Sequence, residues 1–288
     1  MSSYRFCRTD DIGLLVDALH RCWAPYFPGQ ALETAASFKR SIRDLQVWCS
    51  SCMVAFSGAD PIGVLIGAKR SGATLIHRIA VHPDHRRQGH GRHLLTSLGS
   101  KLAILGPPRM VAEVPAAFSA ACGLFDASGY VEETRLTDYV LEGTAGRVSE
   151  MPPGRFLIPV TVDDLAANGL LEATTRVCWE RSIETLNARK EEIAGLAVVS
   201  DEQIEACLLY VRSGGDQEST AEVLALRAFV EDDGARVEQL FSQVRAGGLT
   251  RWRFPKVHPD EVSNRLLEAL GFRPAGEHRL YAATARAA

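Results

Sequence analysis

Residues 79–95 read IAVHPDHRRQGHGRHLL, and the order of chemistry in that stretch decides how the chain is read. Leu75, Ile76, Ile79 and Val81 predict a strand, Pro83 stops it, and Arg86-x-x-Gly89-x-Gly91 stands at the entrance to an amphipathic segment over 93–105. The first four N–H groups of a helix have no partner within it and carry partial positive charge, so a glycine-rich turn at that point is suited to a phosphate or pyrophosphate. Arg86, Arg87 and Arg92 add positive charge around it. Two other phosphate loops are excluded: neither Gly-x-Gly-x-x-Gly with an acidic residue on the next strand nor Gly-Lys-Ser/Thr occurs here.

Composition bounds the partners. The 288 residues are 46% hydrophobic, enough for two domains of about 140 residues each. A formal net charge of −3 argues against a general nucleic-acid binder, and the local HRRQGHGRH patch suits one anionic ligand better than a polyphosphate backbone. No apolar run approaches the roughly twenty residues of a membrane span, and no signal-peptide pattern opens the chain, so a cytoplasmic protein is expected, with no membrane partner. Seven scattered cysteines do not suggest a disulfide framework. Trp48-Cys49-Ser50-Ser51-Cys52 has the spacing of a redox motif. Residues 53–56 continue as a strand, however, and a reactive pair needs a helix N-terminus, so these cysteines are expected to be structural.

The pattern along the first half predicts a strand over 5–7, helices over 10–23 and 32–46, a hairpin of strands over 47–56 and 62–70, and a strand over 74–81. After the loop come its helix, a strand over 110–114, a helix over 118–127 and a strand over 135–141. Residues 144–154, rich in glycine and proline, predict a linker. The same order then recurs: a strand at 156–160, a helix at 165–193, strands at 196–199, 206–211 and 221–230, a helix at 235–245, a strand at 251–257, a helix at 261–270 and a strand at 278–282. Cys22-Trp23 has an echo in Cys178-Trp179, and LFDASGY at 124–130 has one in LLEALGF at 266–272, which points to an internal duplication.

Val81, Pro83, Arg86, Gly89 and Gly91 match, position by position, the acyl-coenzyme A loop of the GNAT superfamily of N-acetyltransferases, and the order of elements resembles that family's fold. The resemblance implies an α/β (α+β) chain of two tandem GNAT-like domains, each a mixed, largely antiparallel sheet flanked by helices. An acetyl-coenzyme A domain would cover 1–143 and a degenerate one 155–288. It further implies that the strand end, Ile79, Ala80 and Val81, pairs with the pantetheine amides, while Arg86, Arg87, Gln88, Gly89, His90, Gly91 and Arg92 hold the pyrophosphate. One departure matters. The family often has a tyrosine four residues before the Gly-Phe element, as acid for the departing thiolate, and Phe125 stands there. In the second half, Glu231-Asp232-Asp233-Gly234 replaces the arginine and paired glycines, and those carboxylates would repel a pyrophosphate.

Acyl transfer to an amine needs a base for the ammonium proton. His77 is one candidate; strand alternation puts it on the face of Ile79 and Val81, and its spacing resembles the histidine of aralkylamine N-acetyltransferases. Glu113, between Ala112 and Val114, is the other; each could equally be a plain structural or surface residue. Trp23, Tyr26 and Phe27 fall where the resemblance places the acceptor. The expectation is an N-acyltransferase acting by direct attack of a small-molecule or peptide primary amine on acetyl-coenzyme A, with no metal, as monomer or homodimer. A non-catalytic acyl-coenzyme A sensor or scaffold is the alternative.

Overall fold

The computed structural model describes residues 2–143, 152–171, 176–213 and 220–286. The chain divides into two compact units, Met1–Thr134 with Arg279–Ala288, and Arg135–His278.

In the first unit, β1 (Ser2–Phe6) leads into α1 (Ile12–Cys22), whose buried stripe is Leu15, Ala18, Leu19 and Cys22, the helical spacing of an apolar face. α2 (Ala35–Leu45) starts at a capping box of Thr34 and Ser37. Strands β2 (Met53–Ser57), β3 (Asp60–Lys69) and β4 (Thr74–Val81) follow as antiparallel neighbours. α3 (His90–Leu105) crosses over to β5 (Arg109–Pro115), which is parallel to β4, and α4 (Ser119–Ala127) leads to β6 (Val131–Glu142). α3 buries Gly91, Leu94, Leu95, Leu98, Gly99 and Leu102 against a core that includes Met53, Leu65, Ile76, Met110 and Phe125.

The second unit repeats this plan with β7 (Phe156–Pro159), α5 (Val162–Ala167), α6 (Ile183–Ala188), β8 (Ala194–Val199), β9 (Ile204–Ser213), β10 (Thr220–Ala228), α7 (Ala235–Ala246), β11 (Arg251–Val257), α8 (Asn264–Ala269) and β12 (Arg273–Thr284). β7 to β10 are antiparallel neighbours, β10 and β11 are parallel, and Trp252, Phe254 and Phe241 anchor the core.

Three differences from the sequence reading have local causes. The single helix expected over 165–193 is instead two short helices with 3-10 turns at Trp179–Arg181 and Lys190–Glu192; Gly169, at φ +68°, ends α5. The strand expected from 47 begins only at Met53, because Cys49–Ser51 form a 3-10 turn seated on Gly67, where an added Cβ would come 2.5 Å from the Ser51 carbonyl oxygen. Cys49 and Cys52 are buried free thiols and burial raises the Cys52 pKa, the opposite of an activated redox pair.

The third difference concerns where the halves meet in sequence. Residues 135–142 of β6 belong to the second unit; 137–142 pair antiparallel with β11, and Tyr139 and Leu141 lie in that unit's core. Residues 279–284 of β12 lie beside β5, and Tyr281 sits fully buried in the core of the first, its ring stacked on Phe125 at 5.5 Å. Each unit is thus completed by a strand that a cut between 143 and 155 would assign to the other. Of the expected linker, 144–151 lie outside the described residues. Tyr281→Ala is expected to destabilise the first unit by about 3–5 kcal/mol, measured by denaturant unfolding of the full chain. A loss under 1 kcal/mol would refute the shared strand's role in that core.

Candidate active site

β4 and β5 pair through only two positions, Thr74 with Met110 and Leu75 with Val111, and then part. From Ile76 onward, the edge of β4 that faces β5 offers backbone groups to the opening rather than to a neighbouring strand. On its other edge, Arg78 pairs with Ile66 and Ile76 with Gly67, so His77 is an extra residue, a β-bulge. A bulge resets alternation. Ile76 and Ile79 both pack on the α3 side, although three residues apart, which puts His77 and Arg78 on the opposite side, toward α1 and α2. The placement of His77 on the face of Ile79 by simple alternation is therefore corrected. Glu113 lies between core residues Ala112 and Val114 in β5 and so faces away from α3. Both candidate bases are half-buried on the same face of the sheet, on opposite sides of the opening.

At the end of β4, a 3-10 turn over Pro83–His85 leads to Arg87 at φ +62° and Gly89 at φ +86°, which is the N-cap of α3. No side chain caps this helix. Its first amides are left for a ligand, and residues 86–89 are exposed. Within the expected anion site, three residues do other work. His90 turns inward, 5% exposed, with Nδ1 2.6 Å from the Tyr4 hydroxyl and Nε2 buried without a partner; burial, His85 and His93 lower its pKa, so it sits neutral. Gly91 is buried where a Cβ would come 3.0 Å from Leu124, so it permits close packing of α3 on α4. Arg92 donates to the Ala127 carbonyl at 2.9 Å. His90, Gly91 and Arg92 can thus serve an anion through their amides. Arg86 donates through Nε to Tyr26 Oη at 2.5 Å and lies over its ring, while the Tyr26 hydroxyl donates to the Val81 carbonyl at 2.5 Å.

The segment between α1 and α2 brings a cluster that the sequence did not disclose. The Glu33 carboxylate accepts from Arg78 at 2.5 Å and from the Ser37 hydroxyl, and His20 Nε2 donates to the Glu33 carbonyl at 2.6 Å. Burial alone would raise the Glu33 pKa, but hydrogen bonds from Ser37 and Arg78, with the charges of Arg78 and His77, outweigh it and hold the group below the ordinary carboxylate range. Arg78 lies 5.7 Å from the Trp23 ring, Trp23 stacks on Phe27 at 4.6 Å, and Phe27 meets Phe118, at the start of α4, edge-on at 5.4 Å. An aromatic contact thus links the α1–α2 segment to α4. In sequence Glu33 is one of many glutamates; only its place before the Thr34 cap was a usable signal.

The second unit keeps this frame with other residues. β10 and β11 pair over three positions and then part, and the bulge in β10 falls at Leu224. Val223 and Leu226 take the core positions of Ile76 and Ile79, which aligns Leu224 with His77 and Ala225 with Arg78. Gly234, at φ +87°, is the N-cap of α7 as Gly89 is of α3. Here, however, the Asp232 carboxylate accepts from the amides of Gly234 at 3.0 Å and Arg236 at 2.8 Å, filling the place of an anionic ligand.

Because the Glu33 pKa is lowered on folding, its contribution to stability is present above the ordinary carboxylate range and is lost as pH falls through the folded value. The stability difference between the protein and Glu33→Gln is therefore expected to be largest near neutral pH and to shrink on acidification, read from denaturant unfolding at a series of pH values. A difference independent of pH would contradict the pairing.

Residues 48–132 match the family model described as "Acetyltransferase (GNAT) domain". Among curated proteins no sequence matches the chain. Among solved structures, a tandem GNAT protein from the clavulanic acid biosynthesis pathway superposes with a TM-score of 0.67 at 17% identity, covering 99% of each chain. A GCN5-related N-acetyltransferase from Sphaerobacter thermophilus gives 0.70 at 13% identity, covering 99% of this chain and 96% of that one. A protein from Pyrococcus horikoshii described as a putative acetyltransferase gives 0.62 at 16% identity, covering 99% and 90%. Residues 48–132 thus match a GNAT domain model, and the chain as a whole has the tandem GNAT fold.

Proposed function

We propose that the first unit is an acyl-coenzyme A-dependent N-acyltransferase that moves acetyl from acetyl-coenzyme A to a primary amine of a small molecule or peptide. The observation that carries this reading is the uncapped N-terminus of α3 at the end of a strand that has parted from its neighbour. The amides of the exposed loop residues Arg87 to Gly89 and of the first turn of α3, His90 to Arg92, with the Arg86 and Arg87 side chains, hold the pyrophosphate, and Ile79, Ala80 and Val81 offer backbone groups to the pantetheine amides. The thioester then lies in the opening, between His77 and Glu113.

In the reaction, the amine nitrogen attacks the thioester carbonyl carbon, backbone N–H groups facing the opening stabilise the oxyanion, and the C–S bond breaks to release the coenzyme thiolate. The ammonium proton must first go to a base; His77, set on the bulge beside the Glu33 and Arg78 pair, takes that role, with Glu113 as the second acceptor across the opening. Phe125, buried at 2% exposure, cannot protonate the thiolate, and the Tyr130 hydroxyl points to Met110 Sδ at 3.7 Å in the core. Solvent therefore supplies that proton. Trp23 and Phe27 form the acceptor wall. The second unit, with Asp232 on its helix amides and Leu224 in place of histidine, does not bind coenzyme A in this reading and serves structure or substrate recognition. Among the described residues no helix is long and apolar enough to cross a membrane.

Isothermal titration of the full chain with acetyl-coenzyme A is expected to give one site per chain; none, or two, would refute the assignment. Thioester consumption over an amine panel then tests turnover. His77→Gln is expected to lower kcat about 100-fold with unchanged acetyl-coenzyme A affinity. The buried Phe125 favours a second reading, a non-catalytic acyl-coenzyme A sensor or scaffold, and tight binding without turnover of any amine would select it.

A further inference from the structure

Where β10 and β11 part, the second unit has a cavity of about 490 Å³. One wall is Leu226, Arg227 and Phe229 at the end of β10; the other is Glu261, Val262 and Leu266, on the connection from β11 into α8. By register, this is the place that the proposed acyl-coenzyme A opening occupies in the first unit, since Leu226 stands where Ile79 does and Gly234 caps α7 as Gly89 caps α3. The volume falls within the range of small-molecule sites, about 300–1,000 Å³.

Its chemistry is unlike that of the first opening. The pyrophosphate end is shut by Asp232, whose carboxylate occupies the α7 amides, and Glu231, Asp233 and Asp260 add negative charge nearby. The cavity wall itself holds a cation. Arg227 is half-buried beside Leu226, and among the described residues no hydrogen bond or ion pair reaches its guanidinium. Glu261, the carboxylate that acts on it most strongly, is already bound by both Nη atoms of the fully buried Arg181. Burial lowers the Arg227 pKa, as expected of a cation withdrawn from water without a full partner.

We propose that this cavity is a second binding site, for a small monocarboxylate with an apolar body, in which Arg227 pairs with the carboxylate and Leu226, Phe229, Val262 and Leu266 cover the body. A single guanidinium matches one negative charge, and its planar fork matches a carboxylate through two parallel hydrogen bonds. The surrounding carboxylates oppose a doubly charged phosphate. The assignment does not depend on the first unit being a catalyst.

The test uses the full chain and sodium hexanoate as probe, with binding read by saturation-transfer NMR and titration. Hexanoate is expected to bind, to stay bound in the presence of saturating acetyl-coenzyme A, and to weaken at least about tenfold in Arg227→Gln, the loss of a charge-assisted pair. Arg227→Lys, which keeps charge without the fork, is expected to be intermediate, and unchanged circular dichroism of both variants shows that they fold. The proposal is overturned if hexanoate does not bind at millimolar concentration, if Arg227→Gln binds it equally, if acetyl-coenzyme A displaces it, or if hexyl phosphate binds more tightly.

Discussion

The parting of β4 from β5 after two residue pairs is the constraint on which the rest of the first unit depends. A parallel pair that continued would satisfy every backbone group along the edge of β4 and leave nothing for a ligand. Because the strands diverge, those groups need partners from elsewhere, since unpaired polar backbone is costly to bury. The Tyr26 hydroxyl answers one of them, at the Val81 carbonyl, and the remainder border an opening that ends at the uncapped α3. The bulge at His77 belongs to the same device: it turns Ile79 back to the α3 core and sets His77 and Arg78 beside Glu33.

The second unit shows what happens when that frame is kept and its chemistry replaced. Ile76-His77-Arg78-Ile79 becomes Val223-Leu224-Ala225-Leu226 around the same bulge, so the polar pair is lost while the two core positions stay apolar. Gly89 and Gly234 have nearly the same backbone conformation at the same helix start, yet one helix end is open and the other is closed by its own aspartate. A helix N-terminus stabilises an anion whether it comes from a ligand or from the chain. Supplying it from the chain removes the reason to bind a pyrophosphate.

Much of this was legible in residue order. Gly89 and Gly91 before an apolar stripe at helical spacing marked the helix start, and alternating or β-branched runs located β4 to within a residue. Local rules failed where a distant contact intervened. The 165–193 stretch has helical composition but contains Gly169, whose left-handed backbone ends α5. Alternation misplaced His77 because a bulge forms between two strands and leaves no mark in one of them. His90 sits in the middle of an anion-binding motif, yet its ring is buried beside Tyr4, eighty-six residues earlier.

By itself, the sequence determined the class of the fold, the duplication, the glycine-rich turn at the start of α3 and the acidic character of its second copy, since each is written in residues close together along the chain. Only the tertiary structure decided which strand completes which core, with Tyr139 packed in one unit and Tyr281 in the other, and which groups flank the opening, with Glu33 brought to Arg78 across forty-five residues. The physical reason is the range of the forces. Helix starts, turns and amphipathic stripes come from neighbours within a few residues, whereas register, burial of a strand and the pairing of a carboxylate with a guanidinium are settled by what packs against them.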